Sequence, residues 1–83
     1  MIKMKKFIEL HLGSHIISHG YDDDNIEIEE SVTVEGFSKK LVSVDRIKSL
    51  SEKFILTDYL DGRWIYWEYQ ENYDEVKALL LNL

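Results

Sequence analysis

Residues 54–83, FILTDYLDGRWIYWEYQENYDEVKALLLNL, decide how the chain is read. Two apolar and aromatic runs flank Asp61-Gly62, and an amphipathic segment follows directly. Asp-Gly between such runs marks a β-hairpin. A two-residue type I′ turn needs positive φ at both central positions, which Asp tolerates and Gly adopts freely. The pattern predicts strands close to 54–60 and 63–69. With a two-residue loop, Leu60 pairs with Arg63, Tyr59 with Trp64, Leu56 with Trp67 and Phe54 with Tyr69. Side chains alternate between the two faces of a strand. One face then carries Phe54, Leu56, Leu60, Ile65, Trp67 and Tyr69, and this is the expected core face. The other carries Ile55, Thr57, Tyr59, Trp64, Tyr66 and Glu68, and is too aromatic for full exposure.

Gln70-Glu71 ends the second strand, and Asn72 is placed to cap a helix. Glu75 stands three residues on as the reciprocal half of a capping box. Asp74 and Glu75 occupy the first turn, where the helix dipole favours negative charge. Tyr73, Val76, Leu79, Leu80 and Leu83 recur at helical spacing. A helix of about ten residues is marginal alone, so it is expected to lie on the sheet, over Leu56 and Trp67.

Upstream, Lys3, Lys5 and Lys6 precede a strand-like run from Phe7 to Leu12. Gly13-Ser14 is expected to turn the chain into a second strand, His15–Ser18. The segment GYDDDN, residues 20–25, is rich in turn formers. In residues 26–35, Ile26, Ile28, Val32 and Val34 alternate with Glu27, Glu29, Ser31, Thr33 and Glu35, the pattern of a half-buried strand with an acidic face. Glu30 is the one residue out of phase, and a bulge or strand end would relieve it. Val42 and Val44 are in strand phase, but Ile47 and Leu50 are not in phase with them. A single helical turn over Asp45–Lys48, capped by Ser43 or Asp45, accounts for the change. Strands first and one helix last give an α+β fold of one domain, residues 1–83: an antiparallel, curled sheet of about five strands under a C-terminal helix.

Residues 41–79 resemble a pattern that recurs in very small bacterial and phage proteins. LVSVDRIKSL stands where such chains carry an apolar-x-V-x-x-I-x-x-I segment. LTDYLDGRWIYWEYQENYDEV stands where they carry strand, Asp-Gly-type turn, strand, short acidic segment and E-V helix. The family this looks most like is the FlbD-like flagellar accessory proteins. The resemblance covers about half of the chain and implies a strand-turn-strand-helix order, with a structural accessory role. It brings no catalytic residues to carry over. Trp64, Trp67 and the acidic stretch Asp22–Glu35 depart from the pattern.

At 83 residues the chain can bury roughly 60–65% of its unfolded surface, enough to fold alone with little margin. Its apolar content of 45% argues against disorder. The absence of cysteine removes disulfides, thiolate metal sites and a cysteine nucleophile, and fits a reducing compartment. Glu9 and His11 interrupt the first apolar run too early for a signal peptide, and no stretch approaches a membrane span. A cytoplasmic protein without membrane contact is therefore expected. The net charge of −6 excludes general electrostatic binding of nucleic acid, though such a chain can occupy a basic groove on another protein.

No motif carries chemistry. His11, His15 and His19 are four apart, but Gly13 and Ile16-Ile17 argue against the helix that would align them as metal ligands. Asp22-Asp23-Asp24-Asn25 lacks the alternating ligands, the glycine and the terminal glutamate of an EF-hand loop. Asp58, Asp61 and Glu68 have no histidine or nucleophile at useful spacing. No enzyme, metal or cofactor is expected. Two surfaces remain. Residues 22–35 hold seven acidic residues and no basic one, and Asp22, Asp23, Asp24, Glu27 and Glu29 form an acidic face suited to a basic protein surface. Tyr59, Trp64 and Tyr66 form an aromatic face that is either a partner or self-association patch or a second core layer. The expected function is a protein-protein interaction module, with a phage-encoded inhibitor or regulator as one form. The alternatives are a flagellar-type accessory and a homo-oligomeric β module that binds or sequesters a small ligand. A charged ligand would draw on Lys39, Lys40, Arg46 and Lys48, the only local basic cluster.

Overall fold

The long strand β1, Phe7–Tyr21, organises the sheet. In this computed structural model, which describes residues 6–83, it pairs with three other strands. Leu12 faces both Ser38 and Tyr69, and His15 faces both Val32 and Trp67. One edge of β1 therefore holds β6 (Trp64–Tyr69), while β2 (Glu27–Val32) and β3 (Ser38–Ser43) follow each other along the opposite edge. Beyond β6 lie β5 (Phe54–Asp58) and β4 (Ile47–Leu50), giving the order β2-β1-β6-β5-β4 with β3 also on β1. Every pairing is antiparallel. The helix α1, Tyr73–Leu81, completes an α+β fold with six strands among the described residues, where about five are predicted. The basic start with Lys3 and Lys5 lies outside the described residues.

The predicted turn at Gly13-Ser14 is not made. The strand continues through both residues, and its register with β6 shifts between Leu12 and His15. An extra residue at such a bulge bends a strand and exchanges its faces. Ile8, Leu10 and Leu12 point into the core before it, and Ile17, opposite the buried Ile65, lies on that inner face after it. The same phase places Glu30 opposite Ile17, where its carboxylate meets His19 Nε2 at 2.9 Å. Glu30 is accommodated by a hydrogen bond from the His19 ring rather than by a bulge in β2.

The hairpin at Asp61-Gly62 forms with a corrected register. Both residues have positive φ, 58° and 74°, and Arg63 N–H donates to Leu60 C=O at 3.2 Å, as the turn chemistry requires. The partner of Arg63 C=O, however, is Tyr59 N–H at 2.8 Å, so the loop holds three residues, Leu60–Gly62. Ile55 then pairs with Trp67, Leu56 with Tyr66 and Asp58 with Trp64. A slip of one residue moves a whole strand to the other face. Ile55 and Thr57, not Phe54 and Leu56, are the buried residues of β5, whereas Ile65 and Tyr69 of β6 are buried as predicted.

The core joins Ile8, Leu10, Leu12, Ile55, Tyr69 and Val76. The helix is capped by Asn72, whose Oδ1 accepts from Glu75 N–H at 2.8 Å. It rests on the inner face through Val76, with Leu80 partly buried beside it, rather than over Leu56. Leu79 and Leu83 of the expected apolar side stay exposed. A single 3-10 turn, Val44–Arg46, links β3 to β4 close to the predicted place, and Ser43 at its cap makes no side-chain bond. Three residues between strands on opposite sides of the sheet bring those sides within roughly 14 Å. The sheet is thereby curled but open, inside a molecule of 43 × 36 × 18 Å.

Glu71 fastens the end of β6 to β1. Its carboxylate accepts from His11 N–H at 3.1 and 3.2 Å and from His11 Nδ1 at 2.8 Å. Burial opposes its ionisation, but the bonds from the His11 ring and main chain prevail and hold the carboxyl below its ordinary value of 4.5. A carboxyl depressed in the folded state stabilises above its unfolded value and loses that contribution as pH falls through the folded one. Glu71→Gln should therefore destabilise by about 1–2 kcal/mol near pH 7. The gap between mutant and wild type should narrow as pH falls below the ordinary value of 4.5. Urea midpoints measured from pH 7 to pH 3 check this; a gap independent of pH would remove the ionised Glu71 clamp.

Candidate functional site

The helix and the core occupy the inner face of the sheet, and no described element covers the outer one. Cross-strand pairing builds two rows there. Glu29, Ser18, Trp64 and Asp58 follow one another across β2, β1, β6 and β5. Ser31, Ile16, Tyr66, Leu56 and Ser49 form the next row and reach β4. Phe54 adds an edge-to-face contact with Tyr66, with ring centroids 6.1 Å apart. Trp64 is 40% exposed, and Tyr66, Leu56 and Ile16 are half-buried by one another. Glu27 borders the same ground: together with Ser18, Trp64, Tyr66, Leu56 and Lys48 it lines a hollow of about 410 Å³.

The acidic and aromatic surfaces thus meet on one face. Glu27 and Glu29 stand at the β2 edge and the rings stand inward of them. Asp23 and Asp24 are exposed in the preceding turn. Asp22 has a local task, since its Oδ1 accepts from Asp24 N–H at 2.8 Å and Ile26 N–H at 3.0 Å and so shapes the β1–β2 turn. Tyr59 separates from Trp64 and Tyr66. The corrected register turns it toward the inner side, where Arg63 lies 4.9 Å from its ring centroid. Ile16 and Ser18 carry no sequence signal of a site; they belong to it only because β1 pairs with both β2 and β6, contacts remote in sequence.

The three histidines do not converge. His11 binds Glu71, His15 stacks on Trp67 with centroids 4.2 Å apart, and His19 lies between Arg63 at 3.1 Å and Glu30 at 2.9 Å. An arginine only donates, so His19 Nδ1 accepts from Arg63 and its Nε2–H donates to Glu30. Among the described residues no group of three His, Cys, Asp or Glu side chains is arranged to hold a metal ion. The basic cluster divides as well. Lys48 borders the outer hollow, and Lys40 and Arg46 border a cleft on the inner side. No helix among the described residues is long and apolar enough to cross a membrane. Compared with known proteins, the chain matches no family model, no curated protein and no solved structure, so the FlbD-like resemblance rests on the pattern within residues 41–79 alone.

Proposed function

We propose that the chain is a non-catalytic interaction module whose outer sheet face docks on the basic surface of a partner protein. The observation that supports this reading is the register that sets Glu27 and Glu29 beside Trp64 and Tyr66 on a face that no described element covers. Aromatic side chains on such a face supply the desolvated contact area that dominates interface energy. Acidic residues at the rim act differently. They select partners by sign and raise the association rate more than they add affinity. Their pull is screened over about 8–10 Å at physiological salt. Together the two parts describe a partner with a cationic rim and an apolar or aromatic recess at its centre.

The test separates rate from lifetime. With a captured partner in hand, Glu27→Lys combined with Glu29→Lys should slow association by about tenfold or more at low salt. The difference should fade between about 0.05 and 0.5 M salt. Trp64→Ala should instead shorten the lifetime of the complex by about thirtyfold, the equivalent of roughly 2 kcal/mol. Association that ignores both salt and the double substitution would leave the acidic residues as a solubility device.

A further inference from the structure

The inner face keeps an opening of its own. Where the sheet curls between β3 and the β5–β6 hairpin, a cleft of about 300 Å³ remains beside the core, the lower end of the range for small-molecule sites. Its apolar wall includes Leu12, Val42, Ile65 and Trp67. The Trp67 ring is held in place, with Nε1–H donating to Thr57 Oγ1 at 3.2 Å and His15 stacked upon it.

The charge at this cleft is opposite to that of the molecule. The chain carries −6 overall, but the cleft is bordered by Lys40 and Arg46 against one carboxylate, Asp58. Arg46 binds Asp58 through Nε at 2.8 Å and donates from Nη2 to the Asp58 carbonyl at 2.9 Å, leaving its other N–H groups to a ligand. That hydrogen bond holds the Asp58 carboxyl below its ordinary value. Lys40 has no carboxylate partner among the described residues, and its Nζ lies 5.4 Å from the Trp67 ring centroid.

We propose that this cleft binds a small aromatic anion, its ring against Trp67 and its phosphate or carboxylate group between Lys40 and Arg46. An apolar wall with a fixed ring recognises the flat body, and a cation without a carboxylate partner recognises the charge. The volume admits one or two fused rings and little more. The cleft shares no lining residue with the hollow on the proposed docking face, only Asp58 standing at the end of an outer row as well, and the site stands independently of that reading.

The two tryptophans provide the readout, since Trp67 borders the cleft and Trp64 lies on the outer face. The full chain, labelled with nitrogen-15, is titrated with 1-naphthyl phosphate while both indole N–H resonances are followed. The Trp67 resonance should shift saturably, with half-saturation below about 1 mM, and that of Trp64 should stay in place. Inorganic phosphate alone and the neutral 1-naphthylmethanol should each bind roughly tenfold or more weakly. Lys40→Gln should weaken naphthyl phosphate by roughly fivefold, and Lys40→Glu by more, with the remaining resonances unchanged. No saturable Trp67 shift, equal shifts at Trp64 and Trp67, or equal binding by wild type and Lys40→Glu would each overturn the proposal.

Discussion

Ile55→Ala should destabilise the fold by about 2–5 kcal/mol, while its neighbour substitution Leu56→Ala should cost about 1 kcal/mol or less. Ile55 is fully buried, pairs with Trp67 on one side and Leu50 on the other, and joins the cluster of Leu10 and Val76. Truncating it leaves a cavity that a sheet on one side and a helix on the other can close only in part. Leu56 stands on the outer face opposite Tyr66 and Ser49, half in water already. The comparison measures register directly. A two-residue loop would set Leu56 against Trp67 and reverse the order of the two losses. Urea unfolding of both variants at pH 7 decides it. Leu56→Ala as costly as Ile55→Ala would mean that the hairpin pairs through Leu60 and Arg63.

The difference between those registers shows what was legible in the sequence. The hairpin, its positive-φ pair Asp61-Gly62 and the faces of β6 follow from local rules, and the structure contains them. The face of β5 does not follow, because one backbone bond from Tyr59 instead of Leu60 adds a residue to the loop. That choice is settled by what lies beneath the strand. Ile55 and Thr57 fit the space beside Leu10 and Ile65, whereas a local pattern of Phe54, Leu56 and Leu60 looks equally apolar. The same reasoning covers the site. Glu27, Glu29, Trp64 and Tyr66 are recognisable as surface candidates from their own strands. Their meeting on one face requires β1 between them, and nothing in Gly13-Ser14 distinguishes a bulge from a turn by composition.

Gly13 decides whether β1 can serve both halves of the sheet, and Gly13→Val should destabilise by about 3 kcal/mol or more, with Gly13→Ala costing about 1–3 kcal/mol. The residue is buried under the connection between β2 and β3. A Cβ there would lie 2.9 Å from the Gly36 carbonyl oxygen and 3.0 Å from two ring carbons of Phe37. The ring belongs to a partly exposed side chain and can swing aside. The carbonyl belongs to a backbone held nearby by Ser14, whose hydroxyl donates to Val34 C=O at 3.4 Å and accepts from Val34 N–H at 3.1 Å. Relief therefore requires the connection to lift away from β1. A domain of this size has a net stability of about 4–12 kcal/mol, so valine would remove a large part of it. Combining Gly13→Ala with Phe37→Ala should recover only a fraction of the loss, because the closer obstacle is main chain. Full recovery in the double variant would place the whole conflict on the Phe37 ring. The effect should also reach the outer face. The bulge beside Gly13 aligns Ile16 and Ser18 with Tyr66 and Trp64 on the outer face. Gly13→Ala, in conditions where it remains folded, should shift the Trp64 indole resonance as well as lower the unfolding midpoint. A lower midpoint with an unmoved Trp64 resonance would confine the strain to the β2–β3 connection and leave the outer face independent of it.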